Sequence, residues 1–157
     1  MDSQNSSPDG PRPFVHHLAA PDEGHEGGFH VSNQGIAQIF FESRNRFFDS
    51  LPVDWHDRVI PMIRELLIRF QGEVMAGTPV RCTICVVERA AKVLVVEEAA
   101  FDVTDPAAPR PIASARSVHV TVDTEAGRAV EVPDSLLGLI EALQGAPVPP
   151  AGPGPSS

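Results

Sequence analysis

The residues best placed to do chemistry lie in one short stretch, Glu26-Gly-Gly-Phe-His-Val-Ser-Asn33, which runs straight into a segment with helical spacing, Gln34 to Ser50. Two glycines loosen the chain beside the acid. The start of a helix offers backbone N–H groups that lack intrahelical partners, together with the positive end of the helix dipole. A carboxylate beside such donors suits acyl transfer. The N–H groups hold the oxyanion that develops on a carbonyl, while the acid attacks the carbonyl carbon or activates a water. Glu26 and the N–H groups at the start of the helix are therefore the candidate site.

Two other constellations are decoys. Cys82 and Cys85 form a CxxC inside the strand-like run Val80 to Val87. Residues three apart on a strand face opposite sides, so the pair cannot close a disulfide with the strand intact, and no second ligand pair completes a zinc site. His25-Glu26-Gly-Gly-Phe-His30 resembles the zinc-protease HExxH but has one residue too many and two helix-weakening glycines. Two histidines must sit at i and i+4 on one helical face to share a metal. No metal and no redox cofactor are expected.

The elements that must position the stretch follow from periodicity. Arg12 to Ala19 reads as a short first strand, closed by the turn residues Pro21-Asp-Glu-Gly24. Ser32 or Asn33 is a good N-cap. Ile36, Ile39, Phe40, Phe47 and Leu51 recur at three-to-four-residue spacing, widened by Ala37, Phe41 and Phe48, so this helix is expected to be largely buried until Pro52 ends it. The period then changes to two. Strands are expected near Pro61–Val74, Pro79–Arg89, Val93–Val103 and Pro111–Asp123, with a hairpin into Arg128–Val132 and a closing helix over Pro133–Leu143. Short connections between the strands imply antiparallel neighbours. The fold class is α+β, one long apolar helix against a curved antiparallel sheet of about five strands.

At 157 residues the chain fits one domain, placed at residues 12–144. Residues 1–11 and 145–157 are rich in Pro, Gly and Ser and read as disordered tails. Twelve basic against twenty-one acidic residues give a net charge of −9, which offers no basic face for a nucleic-acid backbone. No apolar run is long enough to span a membrane and no signal-peptide layout opens the chain, so a cytoplasmic protein without a membrane partner is expected.

Three motifs together resemble the hot-dog fold, and within it the 4-hydroxybenzoyl-CoA thioesterase-like family. The matches are His30-Val-Ser-Asn33, Phe40-Phe-Glu-Ser-Arg44, and Ala115-Arg-Ser-Val-His-Val-Thr-Val-Asp123 with Gly127-Arg128. They stand in the family's order and at its separations, over about residues 12 to 144. The family pattern carries a catalytic Asp four positions before the His. This chain has Glu26 there, with Phe29 in place of a Gly and Ile36 in place of an aromatic residue. Glu is one methylene longer, and misplacement of about an ångström is tolerated poorly by a nucleophile and better by a base acting through water.

The resemblance implies hydrolysis of an acyl thioester of CoA or of an acyl carrier protein, with coenzyme A only as part of the substrate. It also implies a dimer or tetramer with the site between subunits. Glu26 is then base or nucleophile, the Asn33 N–H is the oxyanion donor, and Glu42 on the helix is the runner-up acid, with a simple pairing to Arg44 or Arg46 as its plainer role. His30, Phe29, Ile36 and Phe40 would contact the acyl side, which suggests an apolar or aromatic acyl group. Arg89 and Lys92, near the turn between the third and fourth strands, would meet the nucleotide phosphates. The alternatives are a non-catalytic acyl-CoA-binding or regulatory hot-dog protein, and a hot-dog dehydratase or hydratase. The last is disfavoured because no His has the glycine-proline surroundings expected of it.

Overall fold

The computed structural model describes residues 10–23, 30–53 and 58–152. Strand β1 (Phe14–Ala19) precedes helix α1 (Asn33–Ser50), which is followed by β2 (Val59–Phe70), β3 (Pro79–Ala90), β4 (Val93–Asp102), β5 (Arg110–Asp123), the short β6 (Arg128–Ala129) and helix α2 (Asp134–Gln144). The strands form one antiparallel sheet in the order β1-β3-β4-β5-β2, with β6 added to the end of β5. Strand β2 is therefore an edge, although its sequence neighbour is β3. The class and the βαββββ order match the sequence reading.

Helix α1 starts where capping chemistry places it. Ser32 stands in extended conformation and its hydroxyl accepts the Gly35 N–H at 3.2 Å. Its apolar residues form two clusters against the sheet. Towards its start, Ile36, Ile39 and Phe40 pack with Ala20, Val74, Val80, Cys82, Ala100 and Ile112. Towards its end, Phe47 and Leu51 pack with Ile84, Val86, Leu94, Val96 and, from α2, Leu136 and Ile140. The expected apolar surface was too wide at one position, since Phe41 stays half exposed on the outer face of the helix.

Strand β2 begins two residues earlier than expected and leaves the ladder at Phe70, because the Gln71 and Gly72 N–H groups both turn to the Ile112 carbonyl. The chain after helix α2 also departs from expectation. Residues 145–152, read as tail from composition, lie along β3: the Arg89 N–H donates to the Pro149 carbonyl and the Ala151 N–H to the Arg89 carbonyl, while Val148 is buried. Gly145, at a left-handed φ of 72°, ends α2 and turns the chain into this course. Gln144 has a separate task. Its side-chain amide bonds both the N–H (2.7 Å) and the carbonyl (3.1 Å) of Val86, beside the β-bulge of β3.

Candidate active site

The approach to α1 is held from two sides. The Val31 N–H donates to the buried Val74 carbonyl at 2.8 Å, which ties the residue before the cap to the segment after β2. Glu23 reaches the cap itself, its carboxylate accepting the Ser32 N–H at 3.0 Å and the Ser32 hydroxyl. Any side chain on Gly35 would run into the Glu23 carboxylate and the Val31 methyl group, so glycine is required at this third residue of the helix. With Gly35 bonded to the Ser32 hydroxyl and Ile36 to the Ser32 carbonyl, two donors remain. The Asn33 and Gln34 N–H groups have no partner among the described residues, and both residues are exposed. Two adjacent N–H groups at a positive helix end can receive an oxyanion.

The structure brings some predicted site residues together and separates others. Glu26 and Phe29 lie outside the described residues. His30 is at the mouth of the region: it forms an isolated antiparallel bridge with Met75, and its Nδ1 lies 3.6 Å from an oxygen of Glu73, both side chains being exposed. Ile36 and Phe40 are 3% and 0% exposed and belong to the helix–sheet core, so within one subunit they support the helix start from beneath and line no open surface. Glu42 projects from the outer face of α1, where its Oε1 accepts from Gln38 at 3.2 Å. Its expected partner Arg44 points the other way and is bonded to Glu98.

Arg89 and Lys92 stand at the opposite end of the molecule. Register pairs place the β3–β4 turn beside Val93 and Val120, at the end of the sheet where α1 finishes, whereas α1 begins over Val74, Val80 and Ala20. Nine residues of β3 separate Val80 from Arg89, about 30 Å of extended chain. The Arg89 guanidinium is also engaged, Nε donating to the Val148 carbonyl at 3.2 Å. Lys92 keeps an exposed side chain.

Sequence reasoning missed a polar band under the middle of α1, between the two apolar clusters. Arg44 Nη1 meets Glu98 Oε2 at 2.6 Å, with the residues only 4% and 3% exposed. Burial pushes the Glu98 carboxyl up to about 7 against the opposing pull of Arg44. On β5, Ser117 and His119 Nε2 are 3.0 Å apart, and His119 is pushed down to about 4 by burial and then by the charge of Arg44. The Cys82 thiol, on the same face of β3, is pushed up to about 12 by burial and then by Glu98, which makes it an inert core residue. Cys85 falls on the other face of the strand, as the spacing required. The burial alternation of β3, β4 and β5 gave the face of each residue, but nothing local in sequence pairs Arg44 with a partner 54 positions away.

Residues 27–140 match the profile of the thioesterase-like superfamily. The chain belongs to that family. No curated protein matches the sequence. Among solved structures, the Staphylococcus aureus protein SAV2348, determined in complex with CoA, aligns with a TM-score of 0.75 and 15% identity over 92% of this chain and 91% of its own. Slr0204 of Synechocystis, a 1,4-dihydroxy-2-naphthoyl-CoA thioesterase, gives 0.70 and 12% identity over 82% of this chain and 96% of its own. A Thermus thermophilus thioesterase complexed with coenzyme A and Zn gives 0.69 and 18% identity over 88% of this chain and 98% of its own. These likenesses establish the fold: this thioesterase-like chain has the hot-dog architecture. Among the described residues of this family member, no helix is long and apolar enough to cross a membrane and no group of three or more metal-ligating side chains converges.

Proposed function

We propose that the protein hydrolyses acyl-CoA thioesters at the start of α1. The observation that carries this reading is the pair of N–H groups at Asn33 and Gln34, unpartnered among the described residues, seven and eight positions after Glu26 in a chain of the thioesterase-like superfamily. The thioester carbonyl oxygen would lie against these donors. Glu26 would attack the carbonyl carbon or take a proton from the water that does. When water attacks, the tetrahedral intermediate collapses with release of the CoA thiolate and the acyl group leaves as a carboxylate. When Glu26 attacks, the same collapse leaves a mixed anhydride on Glu26, which a water then hydrolyses to the free carboxylate and restored Glu26. The reaction needs no redox partner and no metal. Glu42 remains the second candidate acid, and His30 a residue at the entrance.

The acyl group is proposed to be apolar or aromatic, because the open face of β2 carries Met62, Ile63, Leu66, Leu67 and Phe70. CoA is favoured over an acyl carrier protein, since a chain of net charge −9 repels an acidic carrier.

The site is proposed to form between copies. Met62, Ile63, Leu66, Leu67 and Phe70 of β2 are each 41–53% exposed, and among the described residues β2 has no neighbour on its outer edge. An exposed apolar edge strand invites pairing. Two copies joined through antiparallel β2 edges would bring the Phe70 end of one beside the Val59 end of the other. That operation puts the β3–β4 turn of the second copy, with Lys92, at the same end of the assembly as the first copy's Asn33. It supports a shared site, which a single subunit cannot provide.

The test is a panel of acyl-CoA and acyl-N-acetylcysteamine thioesters followed with a thiol reagent. Release of thiol, abolished in Glu26→Gln, is the expected result. Tight binding of acyl-CoA without thiol release would favour the non-catalytic reading, and hydration of an enoyl-CoA would favour the hydratase.

A further inference from the structure

Helix α1 is greased at both ends and bonded in the middle. The side chains the helix itself packs on the sheet towards either end are apolar and non-directional, with Ile36, Ile39 and Phe40 before the polar band and Phe47 and Leu51 after it. The residues just before the helix, Val31 and Ser32, are tied to Val74 and Glu23. Between the two apolar ends the only buried carboxylate among the described residues, Glu98, meets Arg44 of the helix. Such a pair is a weak device for stability, because the desolvation of two charges offsets most of their attraction, and apolar replacement of both is often neutral or stabilising. It is strongly directional, however: charge-assisted bonds fix both distance and angle. Glu98 is anchored on β4, paired on both sides by β3 and β5, so the rigid partner is the sheet and the part that can slide or roll is the helix.

We propose that Arg44 and Glu98 are positioning residues for the thioesterase site: their buried bond sets the seating of α1 on the sheet and thereby the placement of the Asn33 and Gln34 N–H donors. The inference rests on the hydrolase reading above. Asn33 lies eleven residues up the same rigid helix, about 16 Å from Arg44, so a change of seating at the pair is carried to the helix start. Displacement of the donors by about 1 Å costs up to about 100-fold in rate, since they serve the transition state far more than the ground state.

The experiment compares wild type with the double variant Arg44→Met with Glu98→Leu, and with Arg44→Lys, in steady-state hydrolysis of one acyl-CoA together with thermal unfolding. The double variant is expected to unfold at the wild-type temperature or above it, with kcat lowered about tenfold or more and KM within about twofold of wild type. Arg44→Lys, which keeps the charge but loses the planar fork, should recover part of that loss. A double variant that is stable and has wild-type kcat overturns the proposal, and so does a fall confined to KM. Should the double variant not fold, Arg44→Lys decides alone: kcat reduced at unchanged KM supports the proposal, and wild-type kcat overturns it. A wild-type protein that releases thiol from no thioester overturns the hydrolase reading and this inference with it, an outcome distinct from an active wild type with unaffected variants.

Discussion

Strands β2 and β3 are both twelve residues long and both rich in apolar side chains, yet they meet opposite fates. Strand β3 lies between β1 and β4 beneath α1, and its inward residues Val80, Cys82, Ile84 and Val86 are all at 0–1% exposure. Strand β2 lies at the edge, outside the shadow of the helix, and keeps Leu66, Leu67 and Phe70 at 41–53% exposure. Composition does not separate them, because burial depends on what lies across the strand and above it. The middle of this sheet, under the helix, is thus complete within the chain, while its β2 edge fits the proposal that a second copy finishes it.

The largest expected effect is on the complete side. Phe47 is fully buried against Phe14 and Phe48, and Phe47→Ala should cost about 3–5 kcal/mol of unfolding free energy, measured by urea titration. Leu67→Ala on the open side should cost the isolated chain far less. If the two variants are equally destabilised under monomeric conditions, the contrast between the strands is wrong.

The next effect falls on assembly. Light scattering at micromolar concentration should give at least twice 16.8 kDa, and Leu66→Asp, which sets a charge in the β2 contact, should yield monomers with thioesterase activity lowered about 100-fold or more. An active monomer would refute the shared site.

The apolar stripe of α1 and the period-two runs of β3, β4 and β5 were legible in sequence because they rest on local period. The helix start was legible as well, since Ser32 caps by ordinary local chemistry. What escaped was made by long-range packing. The course of residues 145–152 along β3 is fixed by partners far away in sequence, and composition rich in Pro and Gly gave no sign of it. Arg44 looked like half of a surface pair with Glu42 because charge in a helix is usually solvated. Its true face follows from the four-residue step Phe40–Arg44, which places it on the buried stripe. The role of Glu23 at the cap was hidden for a similar reason, because nine positions of chain separate it from Ser32.

A smaller effect concerns pH. Glu98 has a folded value raised from 4.5 to about 7, so its contribution to stability is complete below 4.5 and is lost as pH rises through 7. His119 has a value lowered from 6.5 to about 4, so its contribution is complete above 6.5 and is lost as pH falls towards 4. Between pH 4.5 and 6.5 these two slopes oppose each other, with His16, lowered by burial and then by Arg46, adding to the His119 side, so the wild-type melting temperature should change only weakly there. Glu98→Gln removes one slope, so its lower melting temperature should rise with pH across the same window. A wild-type curve with a steep slope, or a flat curve in the variant, would show that one of these two groups is not buried as described.

The smallest effect separates the two basic candidates at the far turn. Lys92→Ala should raise KM for acyl-CoA by up to about tenfold with kcat unchanged, and leave an acyl-N-acetylcysteamine thioester unaffected. Arg89→Ala should act through residues 148–151 and lower thermal stability instead, because its side chain is already committed to the Val148 carbonyl.

In the proposed mechanism an acid before α1 works with the N–H groups of Asn33 and Gln34, unpartnered among the described residues. The most direct test is the rate of thiol release from an acyl-CoA by wild type and by Glu26→Gln at matched folding, checked by circular dichroism. Turnover is expected in the wild type, with a loss of about 100-fold or more in the variant and little change in KM. Undiminished turnover in Glu26→Gln would contradict it and move the search for the acid to Glu42.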